Sequence, residues 1–314
     1  MNAEPVLPTA PVHVGRTEET RARSPWVHLG VGVASAVFGL LPWLITGARM
    51  PVQNLSAFAP TDLPIVLLPF SQYDVVWIFA LLVVGAAVAG IAGRALGVGR
   101  TPRATPLLLA GLVVPQVAAV VQTATTVAAT LQDRIEADLY VAALSAGSLA
   151  TVAIGVAVAA LIARAPRGGA LTGLAIGAVA ASPWLSSLLR PFASPVAGEP
   201  LLLWIVPWIT PVLAGVAIAW AGLRSVGRII AAVATVAIVW IAPALITGLT
   251  NALGFRLILG QPLEMLDYGS SVFRAALFIP ELALRPILGV VVAAGVGLGV
   301  RAVLARRARA TGEA

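Results

Sequence analysis

The chain has 314 residues, of which 59% are hydrophobic and only 11% are charged. Soluble domains carry about 25% charged residues, so this composition excludes an ordinary water-soluble fold and indicates that the lipid bilayer is the solvent. All twenty lysine-plus-arginine residues are arginines and cysteine is absent, which excludes a phosphate-loop lysine, a Schiff base and a thiol nucleophile. The only histidines are His13 in the N-terminal tail and His28 at a membrane edge, which excludes bis-histidine haem ligation. We therefore predict no catalytic residue, no metal and no cofactor.

The first 25 residues are polar and predict a disordered cytoplasmic tail. Residues 26–304 then contain eight apolar runs of the roughly 20 residues that a membrane crossing needs. This pattern predicts an all-α, polytopic helix bundle with eight transmembrane helices. The predicted spans are Trp26–Thr46, Val75–Leu96, Pro106–Leu131, Leu139–Ile162, Ala170–Leu189, Leu201–Leu223, Val226–Leu249 and Pro286–Leu304.

The arginines predict the orientation of these spans. If the N-terminus is cytoplasmic, fourteen of the twenty arginines fall on the cytoplasmic side, including those of a basic C-terminal tail over residues 305–314. Both termini are therefore predicted to be cytoplasmic, in a plasma membrane of the bacterial inner-membrane type. The net charge of +7 is explained by this orientation and by contact with anionic lipid headgroups, so we expect membrane lipids and no nucleic acid as partners.

A Pro-Trp-Leu motif occurs twice, at Pro42 and at Pro183, each time followed by an arginine seven residues after the proline. One interpretation is an internal duplication of four spans, and the other is two similarly built membrane edges. A second resemblance, between Pro42–Gly47 and Pro243–Gly248, pairs the first span with the seventh and disagrees with a division into four and four. Both interpretations stay open.

The loops predict where a ligand site lies. The cytoplasmic loops are short, whereas two outer loops, 47–74 and 250–285, are long, and long loops commonly carry binding and catalytic residues. The segment "LPIVLLPF" at residues 63–70 is too short to span, and we expect it to lie in the interface or to dip into the bundle. Apolar residues at near-helical spacing after Pro262 predict an interfacial helix.

Candidate substrate-binding residues come from these loops and from the third and most polar span. The charged loop residues could converge over the outer mouth of the bundle, or could only be solvated, cap helices and form an ion pair. The glutamines and threonine could line a polar path or hydrogen-bond helices together. The predicted set is Arg49, Asp62, Asp74, Gln116, Gln122, Thr126, Glu264, Asp267 and Arg274.

Three functional hypotheses follow. The first is a transporter or lipid-handling permease with an outward-facing site, and the second is a non-catalytic scaffold or complex subunit. The third, a lipid-linked transferase, would use Asp62 or Asp74 as its acidic group. No aspartate, glutamate, lysine or histidine falls at mid-span, which argues against a proton-driven pump.

Small residues spaced four apart allow close helix packing, within one bundle or with a second copy or a partner subunit. Such pairs are Ala86 and Gly90, Gly173 and Gly177, and Gly295 and Gly299.

Overall fold

The computed structural model describes residues 25–51, 63–98, 103–192, 199–258 and 260–310. Over these ranges the chain forms nine α-helices and no strand, apart from one isolated bridge between Arg49 and Ile65. Eight of the helices are long and apolar enough to cross a membrane, which confirms the all-α polytopic fold and makes this a multi-pass membrane protein. The helices are α1 (Pro25–Ile45), α2 (Val75–Ala95), α3 (Ala104–Thr130), α4 (Ile135–Arg164), α5 (Arg167–Leu189), α6 (Glu199–Ala221), α7 (Val226–Gly254), α8 (Pro262–Leu277) and α9 (Pro280–Ala310).

Helices α4 and α9 begin four and six residues earlier than hydropathy predicts. Helix α4 begins at Ile135 because Glu136 and Asp138 occupy its first turn, where carboxylates interact favourably with the positive end of the helix dipole. Helix α9 begins at Pro280, and proline suits the first turn of a helix. Hydropathy misses such polar or proline-containing turns because they lie outside the apolar stretch.

Glycines set the closest helix contacts. A Cβ added to Gly39 of α1 would lie 2.3 Å from the carbonyl oxygen of Leu81 in α2, and one added to Gly90 of α2 would lie 2.9 Å from the oxygen of Ala159 in α4. Only glycine allows the backbones to approach this closely. By contrast, a Cβ added to Gly295 or Gly299 would meet nothing within 4 Å, so this predicted packing pair faces no other helix in the part of the chain that the structure describes.

At one end of the bundle, arginine side chains donate hydrogen bonds to the last carbonyls of two helices, and we call this end the arginine end. Arg94 of α2 donates hydrogen bonds of 2.6 and 3.0 Å to the carbonyls of Ile162 and Ala165, where α4 ends. Arg301 of α9 donates in the same way to carbonyls of Ala219 and Trp220, where α6 ends. The last carbonyls of a helix lack intrahelical partners and carry partial negative charge, so these guanidinium groups stabilise both ends.

The helix packing repeats along the chain. In the first half α1 packs against α2 and α3, and α4 packs against the same two helices. In the second half α5 packs against α6 and α7, and α9 packs against those two. The division into four and four membrane-spanning helices is therefore a feature of the fold.

The Pro-Trp-Leu motifs do not mark this repeat. Gly39 of α1 contacts the Leu81 carbonyl, and Ser182 of α5 donates a 3.1 Å hydrogen bond to the Val206 carbonyl of α6. Leu81 and Val206 each lie nine residues before a glycine, Gly90 or Gly215, that contacts an alanine of the last helix in its half. The contacts of Gly39 and Ser182 are therefore equivalent, and Pro183 corresponds to Leu40 rather than to Pro42. The two motifs therefore lie out of register with each other in the repeat.

Candidate functional site

A deep apolar cleft lies between α2 and α4 on one side and α7 on the other, with a volume of about 780 Å³. This is within the range of sites that hold small molecules. Its wall combines aliphatic residues of the three helices with the start of α8. Its lining includes Gln72, Glu136, Tyr140, Gly147, Ser148, Thr151, Ile154, Ile246 and Met265.

The cleft exists because α7 changes its neighbours along its length. Near the arginine end α7 packs on α5, where a Cβ on Gly168 would lie 3.3 Å from the carbonyl oxygen of Gly227. Towards the other end, which we call the loop end, α7 packs on α8, where a Cβ on Gly248 would lie 2.7 Å from the Gly269 oxygen. The space between this part of α7 and α4 is left open as the cleft.

The cleft is longest on α4. Its lining on α4 extends from Glu136 to Ile154, a rise of about 27 Å at 1.5 Å per residue. A hydrocarbon core is about 30 Å thick. On α2 and α7 the lining covers only Val75–Phe79 and Leu245–Leu253, so all three helices enclose the cleft near the loop end and α4 alone continues it.

Polar atoms on the wall are mostly occupied by the wall itself. The Ser148 hydroxyl donates a 2.8 Å hydrogen bond to the Leu144 carbonyl, and the Thr151 hydroxyl donates a 2.9 Å bond to the Gly147 carbonyl. Polar groups otherwise gather at the mouth, where Gln72, Glu136 and Tyr140 line the cleft. The cleft thus has an aliphatic interior and a polar mouth at the loop end.

A charged pair lies beside this mouth. Asp74 immediately precedes α2 and has Ser71 and Arg190 as its electrostatic neighbours. Burial raises the pKa of Asp74, and the Ser71 hydrogen bond and the Arg190 charge lower it by less, so the net pKa is above the ordinary value. The Arg190 guanidinium lies 4.2 Å from the ring centroid of Trp77, a cation–π contact.

The segment 63–70 packs inside the bundle, the second of the two predicted alternatives, because Val66, Leu68 and Phe70 are fully buried. Its backbone bonds to side chains. The indole of Trp43 donates a 2.7 Å hydrogen bond to the Val66 carbonyl, and the Leu68 amide donates a 3.0 Å bond to the Thr123 hydroxyl. The side chains replace the water that this irregular backbone would otherwise need.

Gln122 and Thr126 belong to this same support. The Gln122 side chain accepts a 3.0 Å hydrogen bond from the Leu67 amide and donates bonds of 2.9 and 3.2 Å to the Ile65 carbonyl and the Thr126 hydroxyl. Arg49 also contacts the segment, donating a 2.8 Å bond to the Leu63 carbonyl. These three predicted site residues come together, but around a packed backbone segment.

The other predicted site residues lie elsewhere. Gln116 is fully buried and donates a 2.9 Å hydrogen bond to the Leu82 carbonyl, which joins α3 to α2. Glu264, Asp267 and Arg274 are exposed on α8, and Arg274 donates back to the Ser270 carbonyl of its own helix. Asp62 lies outside the described residues. The predicted set is thus distributed over several places, and a ligand role for its members stays a prediction.

Sequence reasoning missed the cleft because its lining is aliphatic. Gly147 and Ile246 carry no polar or titratable group, so neither stands out from the other apolar residues of α4 and α7. The one useful signal was the amphipathic pattern after Pro262, which forms α8. Of the apolar residues in that pattern, Leu263 and Leu266 are exposed, whereas Phe273 packs against Gly248.

No protein-family model matches the chain, and no curated protein or solved structure matches it either. Among the described residues, no group of three or more histidine, cysteine, aspartate or glutamate side chains could hold a metal ion.

Proposed function

We propose that this protein is a lipid-handling membrane protein that admits the acyl chain of a bilayer lipid into the cleft between α4 and α7. The observation that carries the proposal is the cleft itself: a slot of about 780 Å³ with an aliphatic interior and a polar mouth. A lipid has the same division into a long apolar chain and a polar headgroup.

The location of polar atoms favours a lipid over a polar solute. Ser148 and Thr151 satisfy their hydroxyl groups within α4, so the interior offers few free donors to a sugar, an amino acid or an ion. A polar solute would lose its hydrogen bonds to water there without replacement, which is costly. An acyl chain makes no hydrogen bonds to water and therefore has none to lose.

The mouth is suited to a headgroup. Glu136 is exposed at the mouth, and Asp74 and Arg190 lie beside the start of α2. Charges of both signs are therefore available at one level. If the arginine end is cytoplasmic, as the arginine distribution predicts, the mouth opens at the outer leaflet and the protein is an outward-facing permease for lipids.

The test fills the cleft. A Cβ added to Gly147 meets nothing within 4 Å, so Gly147→Phe places a ring in the slot without a backbone clash. The probe is phosphatidylglycerol with a photoreactive group in its acyl chain, reconstituted in vesicles with the purified protein. We expect the native protein to be labelled on peptides of α4 and α7 that line the cleft, and Gly147→Phe to lose most of that labelling.

The matched control is Ala146→Phe, which changes the neighbouring exposed residue at the same depth but outside the cleft lining. It should keep the labelling. Equal labelling of both variants, or labelling of native protein spread evenly over all lipid-facing helices, would show that the cleft holds no lipid in preference to the bilayer.

A second candidate, a non-catalytic subunit of a membrane complex, is favoured by the use of polar side chains. Gln116 and Gln122, the most polar residues of α3, both bond to backbone groups of other segments. Gln116 joins α3 to α2, and Gln122 joins α3 to the segment 63–70. In a subunit of this kind, Gly147→Phe would leave the assembly of the complex unchanged.

A further inference from the structure

The repeat in the fold contains one seam that is filled and a second, equivalent seam that is open. We define the first seam by Ala87 of α2 and by Val158 and Ile162 of α4. Helix α5 lies in it through two glycines. A Cβ added to Gly173 would lie 2.8 Å from Cγ1 of Ile162, and one added to Gly177 would lie 2.9 Å from Cβ of Ala87.

Helices α6 and α9 pack together as α2 and α4 do. Each pair of helices has two contacts between small residues, and the two contacts lie four residues apart along each helix. These contacts are Gly155 on Ala86 and Gly90 on Ala159 between α4 and α2, and Gly289 on Pro211 and Gly215 on Ala293 between α9 and α6. The two pairs can therefore be matched residue by residue.

This match identifies a second seam, which consists of Val212 of α6 and Val292 and Val296 of α9. They occupy the places of Ala87, Val158 and Ile162. The members of the first seam are 8%, 1% and 1% exposed, whereas Val212, Val292 and Val296 are 43%, 63% and 63% exposed. The difference is that none of the nine described helices lies at the second seam as α5 lies at the first.

Helix α1 is the counterpart of α5, and its corresponding face is free. Ser35 and Gly39 of α1 contact α2 where Ala178 and Ser182 of α5 contact α6. In this register Gly30 corresponds to Gly173.

By the same register Ala34 corresponds to Gly177. Gly30 and Ala34 are both exposed, and a Cβ on Gly30 would meet nothing within 4 Å. A helix face of the same kind as the one that fills the first seam is therefore exposed on α1.

We propose that the second seam binds α1 of a second copy of this chain, so that copies assemble head to tail. Because α1 and α5 cross the bundle in the same direction, the two copies share one orientation in the membrane. The contact joins two different surfaces, so it leads to a ring if the rotation closes and to an open row if it does not.

Lipid covers the second seam in an isolated molecule, so exposure to the bilayer alone does not favour assembly. What favours it is the shape of α1, because small residues such as Gly30 and Ala34 let two helix backbones approach closely, and such packing drives helix association in lipid. The same device holds α5 in the first seam through Gly173 and Gly177.

The experiment uses the fact that the chain contains no cysteine. Ala34→Cys and Val212→Cys are placed in separate, differently tagged copies that are co-expressed and oxidised in native membranes. A Cβ on Gly177 would lie 2.9 Å from the Cβ of Ala87, which is shorter than the roughly 3.5–4.5 Å between the Cβ atoms of a disulfide. Because α1 carries Ala34 in place of Gly177, it docks slightly further from the seam than α5 does, which brings the two Cβ atoms into the range for a disulfide. We expect a cross-linked dimer that carries both tags, at least about tenfold more than either variant gives alone, because a docked pair holds the thiols at a high effective concentration.

The control replaces Val212→Cys with Val233→Cys, an exposed position on α7 outside the second seam. It should give only background product with Ala34→Cys. The proposal is overturned by any of three results: no mixed dimer, an equal dimer from Ala34→Cys alone, which would show a symmetric contact, or an equal yield with Val233→Cys. Counting fluorophore bleaching steps of the unmodified protein in lipid vesicles gives an independent check, and single steps throughout would also overturn it.

Discussion

Replacing Gln122 by leucine separates a structural role for this residue from a role in a polar path. The change removes the acceptor for the Leu67 amide and the donor to the Ile65 carbonyl, at 3.0 and 2.9 Å. Each intramolecular hydrogen bond contributes about 1 kcal/mol net, and a buried group left without a partner costs about 1–3 kcal/mol. Because Gln122 is only half-buried, we expect the lower part of this range, a loss of about 2 kcal/mol in the free energy of unfolding.

The assay is reversible unfolding in mixed micelles, combined with amide hydrogen exchange. The Leu67 amide should exchange faster in Gln122→Leu. The Val66 amide bonds instead to the Ala48 carbonyl at 2.8 Å and serves as an internal reference that should change less. Thr125→Val is the matched control, because the Thr125 hydroxyl is exposed and bonds only to its own helix, and we expect it to stay within about 0.5 kcal/mol of the native protein. Native stability and unchanged exchange at Leu67 in Gln122→Leu would refute the reasoning.

Two further predictions concern the two ends of the bundle. Arg94→Lys should lower the free energy of unfolding by about 1–2 kcal/mol, because a lysine cannot reproduce the forked contact with the Ile162 and Ala165 carbonyls. The control is the conservative change Arg164→Lys at an exposed site. Equal losses of stability in the two variants would contradict this role of Arg94. Asp74 has a pKa raised above 3.8, so the folded state binds its proton more tightly than the unfolded chain does, and stability should fall as pH rises from 3.8 through the raised value. Asp74→Asn should remove that part of the pH dependence in thermal unfolding, and an unchanged profile would show that another group causes it.

Much of the architecture follows from local sequence. A run of about 20 apolar residues is sufficient to define a membrane-crossing helix, and all eight predicted runs correspond to helices in the structure. The amphipathic pattern after Pro262 likewise predicts α8. The predicted starts of α4 and α9 are less accurate than the other starts, because first turns such as the one with Glu136 and Asp138 are polar.

The sequence was a poorer guide to the site. The polar residues that attracted attention, such as Gln116 and Gln122, bond to backbone groups. Polar side chains are conspicuous in an apolar sequence whether they bind a ligand or join helices, so residue type alone could not separate the two roles. The aliphatic lining of the cleft, by contrast, resembles every other lipid-facing surface of the chain.

The sequence by itself therefore determined the solvent of this protein, its helices and, through Gly90 and Gly173, some of its close contacts, because these depend on composition and on neighbours along the chain. Only the tertiary structure decided that α7 diverges from α4 to leave a cleft, that residues 63–70 pack into the bundle, and that the second seam is empty. The physical reason is that these features depend on the register and angle between helices distant in sequence. Apolar helix surfaces that resemble one another do not define the register or the angle between two helices. Both are defined only when the glycines and the few polar groups of all the helices pack together.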